Sequence, residues 1–173
     1  FAGGPIKFIF DPVLISKSGH ALLNDDAIDA VKTLLLPLAT LVTPNLPEAA
    51  RLAGLRAADV QRDGGKEAAR RLLDDGANAV LVKGGHGSGS VVVDVLVTRT
   101  GSRAIETPRL ETRHTHGTGC TLSAAIAAGL ARGSSLDKAV DDAVEFVHAA
   151  IASAPGLGRG HGPVPERTRP LRR

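Results

Sequence analysis

Leu41-Val42-Thr43-Pro44-Asn45-Leu46-Pro47-Glu48-Ala49-Ala50-Arg51-Leu52-Ala53-Gly54 passes from one backbone regime to another within a single short stretch. Leu41-Val42-Thr43 is a short apolar, β-branched run that suits a buried strand, and Pro44-Asn45 stops it. Glu48, Ala49, Ala50 and Leu52 then suit a short helix that runs to Gly54. The same order recurs on both sides. Upstream, Ile6-Lys7-Phe8-Ile9-Phe10 is an apolar run closed by Asp11-Pro12. A polar loop at 16–20 follows, and then a helix capped by Asn24, with Asp25 and Asp26 in its first turn. Ile28, Val31, Leu34 and Leu35 recur along it at helical spacing until Pro37. Downstream, an amphipathic helix at 66–75 ends at Gly76, and Ala79-Val80-Leu81-Val82-Lys83 is a strand broken by Gly84-Gly85-His86-Gly87. Residues 91–98 and 103–106, separated by Thr100-Gly101-Ser102, suit an antiparallel pair. Helices over 118–131 and about 136–152 complete the chain.

Strands that alternate with helices predict an α/β fold with a mostly parallel sheet flanked by helices. In such sheets ligands gather outside the carboxyl ends of the strands. That rule alone selects Asp11, Asn45 and Lys83, with the loops that follow them.

Composition narrows the function classes. Of 173 residues, 43% are hydrophobic and 23% charged, as in a globular domain with one core, and no internal repeat is visible. Aromatics are only 2%, so the core must be built from Ala, Val, Leu and Ile, and stacking platforms for single-stranded nucleic acid are lacking. The net charge of +3 owes much to Arg167, Arg169, Arg172 and Arg173 in a proline-containing tail, which weakens any inference of a polyanionic partner. Cys120 is the single cysteine, which excludes an intrachain disulfide and argues against structural zinc. No apolar run is long enough to span a bilayer and no signal pattern opens the chain, so a cytoplasmic location without membrane partners is expected. The sequence holds no Met and starts at Phe1, directly before a strand-like segment, so it is expected to be a fragment or a chain lacking its beginning.

Three motifs carry chemistry. His116-Gly117-Thr118-Gly119-Cys120 precedes a helix. Its glycines allow close backbone approach, and the helix start offers amide N–H groups and a positive pole to an anion such as a transferring phosphate. Cys120 lies at that positive end, where a thiolate is favoured and could accept a proton from an alcohol. The plainer alternative is an ordinary glycine turn with Cys120 as a small buried residue. No Gly-x-x-x-x-Gly-Lys-Ser/Thr loop is present. Asn45 and Glu48, three apart at a helix start, could order a hydrated Mg²⁺, or could simply form a capping box. Lys83, at a strand end before two glycines, could reach over phosphates or snorkel to solvent. His86, His114 and His116 lack a cysteine partner, which makes a transition-metal site a poor fit.

Taken in order, these segments resemble the ribokinase superfamily, and within it the hydroxymethylpyrimidine/phosphomethylpyrimidine kinases of thiamine biosynthesis. The blocks that carry the resemblance are Asp11-Pro12-Val13, Lys17-Ser18-Gly19, Thr43-Pro44-Asn45-Leu46-Pro47-Glu48-Ala49, Val82-Lys83-Gly84-Gly85-His86 and Thr115-His116-Gly117-Thr118-Gly119-Cys120-Thr121-Leu122-Ser123-Ala124-Ala125, with Gly160-His161-Gly162-Pro163-Val164 near the end. The resemblance implies a three-layer α/β/α kinase, with residues 1–164 its C-terminal portion and 165–173 a basic tail. It implies ATP and Mg²⁺ as cofactors and a small-molecule substrate, with no nucleic-acid or membrane partner and with a homodimer as one assembly it allows. Cys120 would assist deprotonation of the substrate hydroxymethyl group, and Gly117, Thr118 and Gly119 would form an anion hole for the γ-phosphate. Lys83 and Asn45 would serve ATP, Glu48 and (through water) Asp11 the metal, and Val13 the pyrimidine ring. Val140, Ala143, Val144 and Val147 would line the adenine side. Pyridoxal kinases share the Gly-Thr-Gly-Cys turn and are the alternative enzyme; a nucleotide-binding remnant without catalysis is the alternative of another class. Family members begin with a glycine-rich, acidic segment that has no counterpart here, so most of the substrate pocket is expected to lie outside this sequence.

Overall fold

A computed structural model of the chain describes residues 6–14, 20–87, 89–156 and 160–165. It forms two compact units, Phe1–Pro108 and Arg109–Arg173. Lys17-Ser18-Gly19 and all of the basic tail beyond Pro165 lie outside the described residues.

The first unit is a five-stranded sheet in chain order: β1 (Ile9–Phe10), β2 (Leu41–Val42), β3 (Ala79–Val82), β4 (Val91–Thr98) and β5 (Gly101–Pro108). β1, β2 and β3 run parallel, with Ile9 opposite Leu41 and Val42 opposite Val80. β4 runs antiparallel to β3, and β5 antiparallel to β4. The sheet is therefore mixed, three parallel strands continued by two antiparallel ones. The reason is chain length: a parallel return needs a crossover of roughly a dozen residues or more, and the turn between Val82 and Val91 is too short to provide it.

Among the described residues, four α-helices belong to this unit. α1 (Asp25–Ala30) starts at Asn24, whose side chain accepts from Ala27 N at 2.9 Å. Its expected continuation changes character: Val31–Leu35 widens into a π turn and Leu36–Leu38 tightens into a 3₁₀ turn. Pro37 has no N–H to donate, so a regular ladder cannot run through it. α2 (Leu46–Ala53) begins in a full capping box: Asn45 Oδ1 accepts from Glu48 N at 2.9 Å, and Glu48 Oε2 accepts from Asn45 N at 2.8 Å. Gly54, left-handed at φ +63°, ends it. α3 (Ala57–Asp63) has no counterpart in the sequence expectation; Val60 is its one buried residue, so it shows almost no apolar period. α4 (Lys66–Asp74) buries Ala68, Ala69, Leu72 and Leu73. These join Leu36, Val42, Ala49, Leu52, Val80 and Val82 in a core of small and branched aliphatic side chains, as the scarcity of aromatics requires.

The second unit is a helix pair, α5 (Thr118–Ala131) and α6 (Leu136–Ala152). Ser135 caps α6 by accepting from Lys138 N at 3.3 Å. The helices approach closely at Gly129, where a Cβ would lie 3.0 Å from that of Ala139. No helix among the described residues is long and apolar enough to cross a membrane.

Two stability measurements follow. Leu72 is fully buried, so Leu72→Ala should cost about 2–5 kcal/mol by denaturant unfolding; a cost below about 1 kcal/mol would contradict the described core. Glu48 is 3% exposed, and burial raises its carboxyl above the usual value of 4.5. A raised acid binds its proton more tightly when folded, so its contribution is most favourable below that value and declines as pH rises through the folded pKa. Glu48→Gln should remove this component, so unfolding midpoints of the two proteins measured from pH 4 to 7 should show the wild type losing ground as pH rises. Parallel curves would refute it.

Candidate functional site

The carboxyl ends of the three parallel strands gather charged side chains, as the switch from strand to loop dictates. Asp11 follows β1, Thr43 and Asn45 follow β2, and Lys83 follows β3. Pairing continues one step past β2 and β3 as a bridge between Asn45 and Lys83, with Lys83 N donating to Pro44 O at 2.8 Å. Lys83 Nζ donates to Asp11 Oδ1 at 2.7 Å, and both side chains are only 16% exposed. Thr43 Oγ1 donates to the same oxygen at 3.2 Å. The lysine thus neither snorkels nor points freely outward; it is aimed by a carboxylate.

Glu48 sits behind this pair. Besides Asn45 N, it accepts from the Leu14 amide, and it feels the Lys83 charge favourably and the Asp11 charge unfavourably. Desolvation outweighs these and raises its pKa. Asn45 and Glu48 are therefore occupied as a capping box, the plainer of the two sequence readings. Among the described residues no three His, Cys, Asp or Glu side chains come together as a metal-binding group. Asp11 and Glu48 would suit, as nearby charges, a cation held mainly by phosphate oxygens and water. Val13, half exposed at 50%, lies just beyond Asp11.

Two members of this cluster were not singled out from sequence. Thr43 gives no signal beyond its place at a strand end. Asp94 does give one: it is an acidic residue inside the otherwise apolar run Val91-Val92-Val93-Asp94-Val95-Leu96-Val97. It is 8% exposed, and its carboxylate accepts from Gly84 N at 2.7 Å. Burial raises its pKa, while the Gly84 amide and the Lys83 charge act to lower it.

In the second unit, Gly117 is left-handed at φ +85° and caps α5. Only glycine takes this conformation readily. The first helical bond runs from Thr121 N to Gly117 O, so the amides of Thr118, Gly119 and Cys120 stand ahead of the ladder. Cys120 is exposed and unpaired in any disulfide, so it is not the small core residue of the plainer reading. Thr118 Oγ1 donates to Thr115 O at 3.2 Å and steadies the turn. The segment around Gly162 straps the same turn. His116 N donates to Gly162 O, Val164 N to His116 O, and Gly162 N to His114 Nδ1 at 3.2 Å. His161 Nδ1 lies 3.0 Å from Arg113 O. His114 and His161 thus tie into the loop through their Nδ1 atoms. Along α5 from Cys120, a groove of about 580 Å³ runs past Thr121, Ala124, Ala125 and Ala128 toward Phe146 of α6. Of the expected adenine-side face, Val140 and Val144 are buried, Val147 is partly buried, and Ala143 also lines this groove.

The residues singled out from sequence therefore fall into two sets, Asp11, Asn45, Glu48 and Lys83 in the first unit and Gly117, Thr118, Gly119 and Cys120 in the second. A family model described as phosphomethylpyrimidine kinase matches residues 3–165. A hydroxymethylpyrimidine/phosphomethylpyrimidine kinase of Streptomyces coelicolor is 46% identical over 163 residues, 94% of this chain and 60% of the relative. Among solved structures, the pyridoxal kinase from Staphylococcus aureus in complex with ADP aligns with TM-score 0.84 and 36% identity, over 92% of this chain and 58% of that one. Phosphomethylpyrimidine kinase from Clostridium difficile aligns with TM-score 0.66 and 35% identity, over 85% and 58%. The chain thus spans about 60% of the length of the relatives it matches. With that match covering nearly all its residues, the chain belongs to the phosphomethylpyrimidine kinase family and has the ribokinase-like fold of that family.

Proposed function

We propose that this chain carries the nucleotide-handling part of a kinase that phosphorylates 4-amino-5-hydroxymethyl-2-methylpyrimidine and its monophosphate in thiamine biosynthesis, with ATP as donor and Mg²⁺ as cofactor. The observation that carries the reading is the exposed Cys120 in the first turn of α5, behind the left-handed Gly117. It provides a proton acceptor beside outward-facing amides, the two elements that alcohol phosphorylation requires.

In this reaction the substrate hydroxyl oxygen attacks the γ-phosphorus, its proton passes to Cys120 Sγ, and the bond between that phosphorus and the β-phosphate oxygen breaks to release ADP. The amides of Gly117, Thr118 and Gly119 hold the charge of the transferring group. Lys83 neutralises the remaining phosphates, while Asn45 holds the α2 start beside them. Bound Mg²⁺ supplies further charge neutralisation on the phosphates. Asp11 and Glu48 contribute to the water network around that charge, and Val13 offers an apolar contact to the ring. Apart from that proton transfer, positioning and electrostatics are the chemistry asked of the protein.

A second reading, phosphorylation of pyridoxal, is favoured by the likeness to the Staphylococcus aureus enzyme, also solved with pyridoxal. A chain that covers only part of its relatives could also bind nucleotide without turnover. A small-molecule kinase of this kind works where ATP is abundant, in the cytoplasm, and a homodimer is the assembly we favour for it.

Offering both alcohols with ATP·Mg²⁺ and following ADP release separates the readings: turnover on the pyrimidine supports the first, turnover on pyridoxal alone replaces it, and calorimetric ATP binding without turnover identifies the remnant. Cys120→Ala should lower turnover by about 10²-fold or more with ATP affinity kept; unchanged turnover would reject the base assignment. Lys83→Ala should weaken ATP binding by about tenfold or more; unchanged affinity would remove Lys83 from the phosphate site.

A further inference from the structure

Asp94 has a placement that packing alone does not explain. It occupies the middle of β4 between Val93 and Val95, on the strand face it shares with the buried Leu96, where an aliphatic side chain would desolvate no charge. Its carboxylate instead reaches the first residue after Lys83, accepting from Gly84 N at 2.7 Å. Gly84 is pressed against the same strand: a Cβ there would run into the carbonyl oxygen of Val93. From Gly84 the backbone enters a 3₁₀ turn to His86, closed by Gly87 N donating to Gly84 O at 2.8 Å. The side chain of Lys83 is aimed separately, by Asp11.

We propose that Asp94 is a positioning residue that clamps the Gly84 amide and so fixes the backbone from which Lys83 and the Gly84–His86 turn meet the nucleotide phosphates. The clamp rests on the nucleotide role of Lys83 given above and adds a residue to it. A carboxylate suits this task because a charge-assisted bond to an amide is short and strong in a dry site. The positive charge of Lys83 offsets part of the burial cost without bonding Asp94 directly. An apolar residue at 94 would leave the Gly84 amide unsatisfied beneath the turn.

The test uses Asp94→Asn, Asp94→Ala, Lys83→Ala and the Asp94→Ala/Lys83→Ala double variant, with ADP·Mg²⁺ affinity by calorimetry, Gly84 amide exchange by NMR, and thermal melts. Asp94→Ala should speed Gly84 exchange and weaken ADP, each by about tenfold or more, whereas Asp94→Asn keeps an acceptor oxygen and should restore both to within about threefold. On the Lys83→Ala background, Asp94→Ala should weaken ADP by less than it does in the wild type, because part of its effect passes through Lys83. Wild-type exchange and affinity in Asp94→Ala would overturn the clamp, as would Asn proving as damaging as Ala, or additivity in the double variant. If Asp94→Ala does not fold, Asp94→Asn decides: near-wild-type affinity supports the clamp, and a tenfold loss rejects it. Absence of nucleotide binding in the wild type would instead sink the role of Lys83 itself, and the purpose of the clamp with it.

Discussion

Three carboxylates share one ammonium at the strand ends of the first unit, and the arrangement there has to satisfy that imbalance. Asp11, Glu48 and Asp94 lie around Lys83, whose ammonium bonds Asp11 and no other carboxylate among the described residues. Coulomb attraction to a single cation cannot hold three buried anions. Backbone amides make up the deficit: Asn45 and Leu14 donate to Glu48, and Gly84 donates to Asp94. Each of these donors sits at a break in regular structure, where its N–H has no ladder partner. The cluster is therefore possible only at strand ends. Consistent with that, no buried side-chain polar atom among the described residues lacks a partner.

The second unit meets a different constraint. For the proposed anion hole its helix start has to present amides outward, and α5 begins at Gly117 with no side-chain cap. Stability that a cap would provide has to come from elsewhere. Small residues let α5 and α6 pack closely at Gly129 and Ala139, and the strand-like bridge between His116 and Pro163 braces the turn from outside. The late Gly160–Val164 motif of the sequence thus has a structural task within this unit: its backbone holds the loop before Cys120.

Much of this was legible in the residues. The strand ends at Asp11, Thr43 and Lys83 were visible because each apolar run is cut by proline or glycine. The two last helices were visible from their length and period, and the helix start at Gly117 from its glycine pair. Less could be read where local chemistry is ambiguous. Asn45 and Glu48 at a helix start favour a capping box over a cation site in sequence without excluding the latter, and the geometry shows Asn45 Oδ1 and Glu48 Oε2 each accepting from the other's amide. α3 was invisible because burying Val60 alone leaves no period to detect. The antiparallel turn of the sheet was legible for β4 and β5 but not for β3 and β4, because a glycine-rich break does not state the direction in which the chain returns.

The pairing of Lys83 with Asp11 bears on how a phosphate could be accepted in the proposed reaction. A lysine that is already bonded looks at first like a group withdrawn from service. The ammonium, however, has three N–H donors on a flexible stem, and Asp11 takes one of them at 2.7 Å. Two directions remain for phosphate oxygens without breaking the pair, and the carboxylate restricts the stem that would otherwise lose rotamer freedom on binding. An arginine could not substitute, because its planar fork fixes all its donors in one plane and would present a bidentate face to Asp11. The ion pair is thus better understood as preorganisation than as inhibition: Asp11 aims the side chain, Asp94 holds the backbone, and the cation itself is left with donors to spend.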